Sequence, residues 1–352
     1  MNAIAVVILA FSVLGAVDHV IGNRIGVGKE FARAFSLFGP MALSMLGMLV
    51  LAPAIGVWLS PAFDWFHRTL GMDPSIIPAS LLANDMGGML LSQSVCITQE
   101  VGNFNAFVIS SMMGCVVSYT IPFALGIVKR EQHKEFFFGT LCGIVTIPVG
   151  SFVAGLVCGL GPLPLLLDLF PLILLSVIVC LALVFAPKAC IQCFSVFGLV
   201  MKVLGVIGLV CATFTFLTGV EIHPHFDTFE NAALICANAC VTLSGALPLM
   251  CLISKLLHRP LDRLGARLGI DGTSALALLG CLVTNASTFG VMEQMNKKGT
   301  VLNSAFAVSA AFVFGSHLAF TMAFDPDYVL PMTVGKLLSG VCAVVLACLL
   351  YR

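Results

Sequence analysis

The sequence predicts an all-α polytopic membrane protein whose 352 residues form a single integral membrane domain. Hydrophobic residues make up 59% of the chain and charged residues 10%, whereas a soluble domain is roughly half apolar and about a quarter charged. The mean hydropathy is +1.08. The 17 basic residues balance the 17 acidic residues, so the chain has no net charge with which to attract nucleic acid.

The length of the apolar runs predicts the transmembrane helices. A helix that crosses a bilayer needs about 20 mostly apolar residues. About nine runs meet this requirement, near 2–22, 36–60, 104–128, 137–160, 163–187, 195–219, 232–254, 303–324 and 329–350.

Two further runs, at 75–93 and 275–294, are long enough to cross but contain polar residues and glycine at their centres. The first carries NDMGG at 84–88 and the second carries TNASTFG at 284–290. A broken helix is tolerated at mid-membrane only where it lines a cavity or contacts protein. We therefore expect both runs to form re-entrant hairpins.

The basic residues indicate which runs cross the membrane. With nine crossings, two hairpins and the N-terminus outside, Arg68 is the single basic residue of the outer loops, and Lys202 and Lys336 lie within spans. The cytoplasmic side then holds Arg24, Lys29, Arg33, Lys129, Arg130, Lys134, Lys188, Lys255, Arg259, Arg263, Arg267, Lys297, Lys298 and Arg352. This distribution follows the positive-inside rule and predicts a cytoplasmic C-terminus.

The two hairpins belong to a predicted inverted repeat, with units at about 75–160 and 275–350. Two short matches and one pair of asparagines occur in the same order in both units: AFVISS at 106–111 with AFAVSA at 305–310, GTLCG at 139–143 with GKLLSG at 335–340, and Asn84 with Asn285. Inverted repeats with broken helices are typical of secondary transporters, which bind substrate near the midplane between the repeats.

Asp85 is the principal candidate for substrate binding. A charged residue at the centre of a membrane helix costs at least about 2.5 kcal/mol and is functional by default. Together with Asn84, its carboxylate would bind a cation; the alternative is that it caps the second helix of the hairpin. Gly87 and Gly88 would let the backbone hinge or approach the substrate.

Further candidates for substrate contact are polar residues in the second half and the repeat-related serines. Asn285 supplies an amide at the second hairpin tip, where it could instead satisfy a helix end. Ser316 and His317 lie within a span, and a neutral histidine could bind substrate, relay a proton or join helices. Ser110 and Ser309 are weaker candidates, because serine in a membrane helix most often bonds its own i−4 carbonyl.

Asp18 and Lys336 are candidates for coupling transport to an ion. Asp18 lies near the end of the first span, where a polar residue is also ordinary. Lys336 could neutralise Asp327 or extend towards the interface. The segment 255–269 alternates basic residues with leucine and predicts a cytoplasmic amphipathic helix that contacts anionic lipid.

Enzyme motifs do not occur in the sequence. It has no HExxH, no GxSxG and no complete phosphate-binding loop. The cysteine pair at 190 and 193 has no second pair or histidines to complete a metal site. We expect no enzyme activity, no metal and no cofactor.

Several motifs of this chain resemble those of the bacterial ethanolamine permeases that are encoded with ethanolamine-utilisation enzymes. They are LANDMGG at 82–88, GIVTIPVG at 143–150, FAVSAAF at 306–312, HL at 317–318 and VGKL at 334–337. Ser316 stands where the family usually has an acid before the histidine, and this chain has shorter loops around 160–163 and 220–231.

The resemblance implies uptake of ethanolamine across the bacterial inner membrane by a multi-pass protein. These residues suit such a substrate, because protonated ethanolamine has one ammonium for Asp85 and Asn84 and one hydroxyl for Asn285 and His317. A carrier with alternating access is the main hypothesis, and a channel-like facilitator for neutral ethanolamine or another small amine is the alternative. The expected partners are this small molecule and membrane lipid. Small-residue stretches could serve packing within the chain or against a second copy, so a homo-oligomer is a further possibility.

Overall fold

The computed structural model describes residues 3–351, except for the side chains of residues 3, 258 and 262. Within that range the chain is helical and contains no β-strand. The α-helices are α1 (Ala3–Val20), α2 (Gly28–Ser36), α3 (Phe38–Met41), α4 (Gly47–Leu70), α5 (Ile76–Leu81), α6 (Gly88–Val95), α7 (Gln99–Phe104), α8 (Ile121–Ile127), α9 (His133–Val157), α10 (Pro162–Asp168), α11 (Phe170–Phe185), α12 (Pro187–Thr218), α13 (Phe229–Leu268), α14 (Gly272–Cys281), α15 (Asn285–Phe289), α16 (Lys297–Ala310), α17 (Ser316–Phe324) and α18 (Val329–Leu350). Stretches of π-helix occupy Ala42–Leu46, Asn105–Gly114 and Val116–Thr120.

The protein is a multi-pass membrane protein, as the sequence predicts. Six stretches of the described chain are long and apolar enough to cross a membrane: Gly28–Leu70, Gln99–Ile127, Arg130–Val157, Pro187–Thr218, Phe229–Leu257 and Pro326–Leu350. The pair α10 and α11, bent by 43°, gives a seventh. Fewer helices than the predicted nine reach this length, because α1 is shorter and the run 303–324 is divided into α16 and α17.

Both polar runs are divided into helices at the polar residues. The first break separates α5 from α6 and contains a 3₁₀ turn at Asn84–Met86; the second separates α14 from α15. Gly87 has a φ of +88°, and a Cβ on Gly88 would lie 2.2 Å from the carbonyl oxygen of Leu82. Both glycines are therefore needed for the shape of the first break. The re-entrant course of the two runs stays a prediction.

An aspartate ties the base of the first broken pair. One carboxylate oxygen of Asp73 accepts the N–H and the hydroxyl of Ser75, at 3.0 and 2.6 Å. The other oxygen accepts the N–H of Ile97 at 2.9 Å. Asp73 thus joins the start of α5 to the backbone that follows α6.

Asp271 makes a similar arrangement at the second pair. Its Oδ1 accepts the N–H of Ser274 at 2.8 Å, and its Oδ2 accepts the Ser274 hydroxyl at 2.8 Å and the N–H of Asn296 at 2.7 Å. Asp271 thus joins the start of α14 to the backbone that precedes α16. The similarity of the two aspartates favours the predicted repeat.

Helices α9, α16 and α18 pack against one another through glycines. A Cβ on Gly139 would lie 2.2 Å from the carbonyl oxygen of Val301, and a Cβ on Gly150 would lie 2.3 Å from that of Gly335. Small residues permit such close backbone contact between membrane helices. The packing joins α9 of the first predicted repeat unit to α16 and α18 of the second.

The predicted amphipathic segment 255–269 is the end of α13 rather than a separate helix, because α13 continues unbroken to Leu268. Leu256 and Leu264 are 77% and 46% exposed. The Lys255 ammonium donates to the carbonyl of Ile25 at 2.7 Å, which ties this segment to the loop after α1. Contact between the exposed leucines and lipid stays a prediction.

Candidate substrate site

A cavity of about 380 Å³ lies where the two helix breaks approach each other. Its wall contains Asp85 and Met86 from the first break, Thr284 from the second, and Ser316 and His317 from the start of α17. Small-molecule sites typically occupy roughly 300–1,000 Å³ and combine an apolar wall with a few polar groups. Both halves of the chain therefore contribute to one candidate site.

The cavity is open in one direction and closed in the other. It extends past the π-helical stretch Ala42–Leu46 to Arg33, whose side chain is 53% exposed. On the opposite side, Phe107 and Phe320 are fully buried, and the Phe107 ring lies 5.0 Å from that of Tyr328. Phe107 and Phe320 belong to one buried apolar cluster, and α17 leads from the cavity wall at Ser316 through this cluster to Asp325.

Asp85 is the single carboxylate of the cavity wall among the described residues. It lies in the 3₁₀ turn between α5 and α6, is 7% exposed, and interacts with the hydroxyl of Ser316 and the charge of Lys336. The N-cap residue of α6 is Gly87, which has no side chain, and the alternative role of Asp85 as a cap of this helix stays a prediction. Its carboxyl group thus contributes a titratable group to the cavity wall.

Lys336 lies behind the cavity and is 1% exposed. Its ammonium donates to the carbonyl of Ser111 and to Nδ1 of His317, which is 3.1 Å away. The alternatives of an ion pair with Asp327 and of extension to the interface are therefore wrong. Because an ammonium only donates, Nδ1 of His317 accepts, and the neutral imidazole then holds its proton on Nε2.

The two hairpin asparagines lie behind the cavity wall rather than in it. The Asn84 amide oxygen accepts the N–H of Asp85 at 2.9 Å and so fixes the turn that presents this carboxylate. The Asn285 amide donates to the hydroxyl of Thr120 at 3.0 Å. At the second break Thr284 supplies the cap of α15, by accepting the N–H of Ala286.

The repeat-related serines are buried away from the cavity. The Ser110 hydroxyl donates to the carbonyl of Ala106, four residues earlier, at 2.5 Å, which is the ordinary role of a membrane-helix serine. Ser309 is fully buried in α16, and its hydroxyl has no hydrogen-bond partner in the part of the chain that the structure describes. The structure does not bring either side chain to the cavity.

Asp18 holds the loop that joins α1 to α2. Its Oδ1 accepts the N–H of Ile25 at 2.8 Å, and its Oδ2 accepts those of Val27 and Gly28 at 2.9 and 2.8 Å. The carboxylate is fully buried and engaged by these three backbone donors. This contact with the backbone accounts for an aspartate at the end of the first helix.

Comparison with known sequences places this chain in a family. The family described as "Ethanolamine utilisation protein, EutH" matches residues 1–350. The chain belongs to the EutH family. Its EutH relatives include a "Probable ethanolamine permease EutH" of Listeria monocytogenes, which is 39% identical over 95% of this chain and 90% of the relative.

Two further relatives are similar to this chain over most of their length. A protein with the same name in Salmonella typhimurium is 32% identical over 98% of this chain and 94% of the relative. The "Uncharacterized protein YxeR" of Bacillus subtilis is 34% identical over 97% of this chain and 92% of the relative. No solved structure matches the chain. The resemblance inferred from the motifs is thus confirmed at the level of the EutH family.

Two threonines beside the helix breaks of this EutH member were not among the residues predicted from the sequence. Thr120 binds Asn285 across the two halves, and Thr321 is fully buried in α17. Each follows a glycine by six residues, Gly114 and Gly315 respectively. The two threonines correspond when the repeat units are aligned at Asn84 and Asn285. They do not correspond when the units are aligned at the apolar matches, 106–111 with 305–310.

Proposed function

We propose that this protein carries ethanolamine, as the ammonium cation, across the bacterial inner membrane from a site between the two broken-helix hairpins. The names of the Listeria monocytogenes and Salmonella typhimurium relatives support the transport role and the substrate. The position of Asp85 carries the proposal for this chain. It puts one carboxylate, from one break, in the same cavity wall as polar groups from the start of α17.

The substrate in this proposal lies between Asp85 and His317. The Asp85 carboxylate accepts hydrogen bonds from the ammonium. Nε2 of His317 and the Ser316 hydroxyl form hydrogen bonds with the substrate hydroxyl. Asn84 and Asn285 support the two turns from behind the wall. The nearby Lys336 charge repels any cation in the cavity. A cation is therefore held there only when its ammonium contacts the Asp85 carboxylate.

Substitution of Asp85 tests the site. Removal of a charge-assisted hydrogen bond costs about 1.5–3 kcal/mol, so D85N should raise the KM for ethanolamine uptake by roughly 10- to 150-fold. D85E should retain part of the uptake, and D64N, which changes an exposed carboxylate at the end of α4, should leave it unchanged. Unchanged uptake by correctly folded D85N and D85A would contradict the proposal.

A carrier mechanism accounts for a cavity that is open at Arg33 and closed at Phe107, Phe320 and Tyr328. Counterflow in proteoliposomes tests it. Unlabelled ethanolamine inside the vesicle should accelerate uptake of labelled ethanolamine if the site alternates. A channel-like facilitator would give no such acceleration.

Lys336 is the proposed coupling residue, because its ammonium contacts His317 in the cavity wall. Loss of a proton from this pair on one side of the membrane would strengthen the attraction of Asp85 for a cation. The other coupling candidate, Asp18, already accepts three backbone N–H groups. We therefore assign it to the loop and not to coupling.

The proposed orientation places the N-terminus outside and the C-terminus in the cytoplasm of the inner membrane, so that the cavity faces the cytoplasm at Arg33. Labelling with a membrane-impermeant maleimide tests this orientation. A cysteine at His223 should react in intact cells, whereas a cysteine at Lys298 should react only after permeabilisation. The reverse pattern would invert the orientation.

A further inference from the structure

The two helix breaks have the same local construction. A Cβ on Gly114 would lie 2.0 Å from the carbonyl oxygen of Leu82, and a Cβ on Gly315 would lie 2.1 Å from that of Val283. In each half a carbonyl at the break therefore lies against a glycine, at the end of the π-helical stretch Asn105–Gly114 in the first half and directly before α17 in the second. Each glycine is so close to its carbonyl oxygen that no residue with a side chain fits at position 114 or 315.

The same construction positions one asparagine and one threonine in each half. Asn84 and Asn285 follow the two carbonyl residues by two positions, and Thr120 and Thr321 follow the two glycines by six. Asn84 therefore corresponds to Asn285, and Thr120 corresponds to Thr321. All four residues are at most 1% exposed.

One asparagine and one threonine are joined across the halves. The Asn285 amide nitrogen donates to the Thr120 hydroxyl at 3.0 Å, so the second break is fastened to the helix of the first half. The corresponding pair is Asn84 and Thr321. The Asn84 amide nitrogen and the Thr321 hydroxyl are both buried and both without a hydrogen-bond partner among residues 3–351.

These two unpartnered groups lie on elements that touch. Helix α17, which carries Thr321, packs against the 3₁₀ turn that contains Asn84. Buried polar side chains are nearly always hydrogen-bonded, and an unsatisfied one costs about 1–3 kcal/mol. Two such groups at corresponding positions, on neighbouring elements, therefore require a physical explanation.

We propose that Asn84 and Thr321 form a second latch, which closes when the latch between Asn285 and Thr120 opens. The Asn285–Thr120 bond holds the conformation described here, with the cavity open towards Arg33. The Asn84–Thr321 bond holds the conformation with the cavity open on the opposite side. The inference rests on the proposed carrier function, and it identifies these four side chains as positioning residues.

An exchange of one latch for the other suits a carrier. Each end state makes one of the two bonds and leaves the other pair unsatisfied, so the two states are similar in energy without substrate. A small difference lets a ligand of moderate affinity shift the populations. The empty protein can then return across the membrane.

The latches are tested by removing one hydroxyl at a time. Thr120→Val and Thr321→Val keep the shape of the side chain and each remove one latch. Two reporter cysteines follow the state: S44C, in the cavity wall, and A319C, which is buried on the closed side. Both are labelled with an impermeant maleimide without substrate, after subtraction of the labelling of the parent protein.

Opposite effects are expected from the two substitutions. T120V should raise the A319C labelling rate about tenfold and lower that of S44C. T321V should lower the A319C labelling rate by a similar factor. A tenfold change corresponds to about 1.4 kcal/mol, the energy of one buried hydrogen bond. The double variant should return to within about twofold of the parent, because both latches are then absent.

Matched variants separate a latch from a general packing effect. T140V removes a buried hydroxyl that bonds the carbonyl of Phe136 within its own helix, and should leave labelling unchanged. T120S and T321S keep the hydroxyl and should behave as the parent does. Equal labelling in all variants, or shifts of the same sign in T120V and T321V, would overturn the latch proposal.

The experiment also separates the latch from the proposed function. Added ethanolamine should change S44C and A319C labelling in opposite directions in the parent protein if it is a carrier. If it does so while T120V and T321V have no effect, the carrier stands and the latches are wrong. If labelling at the two positions never changes reciprocally, the carrier mechanism itself is wrong, and the latch with it.

Discussion

The aspartate at the base of the second broken pair gives the sharpest test of the fold. Asp271 accepts the N–H of Ser274 at 2.8 Å, the Ser274 hydroxyl at 2.8 Å and the N–H of Asn296 at 2.7 Å. The substitution D271N keeps one acceptor oxygen but removes the charge and one acceptor. It should therefore weaken the tie between the start of α14 and the backbone before α16.

The size of the effect follows from the bonds that are lost. Loss of an N-cap costs about 0.5–2 kcal/mol, and a hydrogen bond to a charged group contributes about 1.5–3 kcal/mol. Since Asp271 is partly exposed and asparagine retains one bond, we expect a loss of about 1–2 kcal/mol at pH 7. At about 2–4 °C per kcal/mol, the Tm in detergent should fall by about 2–8 °C.

The pH dependence of this loss has a defined sign. Burial would raise the pKa of Asp271, but the N–H groups of Asn296 and Ser274 and the Ser274 hydroxyl lower it below its ordinary value of 3.8. A carboxyl with a lowered pKa stabilises the folded protein above its unfolded pKa, and this contribution is lost as the pH falls through the folded value. The difference in Tm between parent and D271N should thus shrink below about pH 4.

Thermal unfolding followed by fluorescence at neutral and acid pH measures both effects. E131Q, which changes an exposed carboxylate in the loop before α9, is the control and should leave the Tm within about 1 °C. An unchanged Tm in D271N at neutral pH, or a difference that grows in acid, would refute the assigned role of Asp271.

Two further predictions concern the breaks and the cavity. G315A should lower the Tm by about 2–12 °C, because its Cβ would lie 2.1 Å from the Val283 carbonyl oxygen and overpacking costs about 1–3 kcal/mol. The control G205A, whose Cβ would have its nearest neighbour at 3.7 Å, should change the Tm little. Equal effects of the two substitutions in a thermal melt would exclude the clash. K336M should abolish the pH dependence of ethanolamine uptake across the neutral range while leaving the protein folded, because the proton partner of His317 is removed; a pH profile that matches the parent's would exclude Lys336 from coupling.

The first two breaks were predictable because their cause is local. NDMGG and TNASTFG place amides, hydroxyls and glycine in the middle of apolar runs, and the chain is broken at both. The break between α16 and α17 was not predictable, because residues 311–315 are apolar except for glycine. The N–H groups of Phe312 and Phe314 there donate to the carbonyls of Cys281 and Leu282 at the second break. The partner that permits this unwinding is some 30 residues away in sequence.

The candidate site was predictable only in part, for a similar reason. Asp85 and His317 are polar residues in apolar surroundings and could be recognised alone. Lys336 was recognised too, but its partners were not, since one of them is the backbone carbonyl of Ser111 in the π-helical stretch Asn105–Gly114. A backbone acceptor of this kind has no signature in the side-chain sequence.

The arrangement of fixed and exchangeable contacts limits where this protein can move. Asp73 and Asp271 hold the two ends of each broken pair with several bonds, so the bases of both pairs are fastened to the spans that follow them. At the breaks, by contrast, the bond between Asn285 and Thr120 joins the two halves in the described part of the chain, and its counterpart is open. Motion that exchanges these latches can therefore alter access to Asp85 while the bases stay in place. A carrier built in this way needs to rearrange only the breaks and α17, and the glycine-packed contact of α9 with α16 and α18 can remain intact throughout.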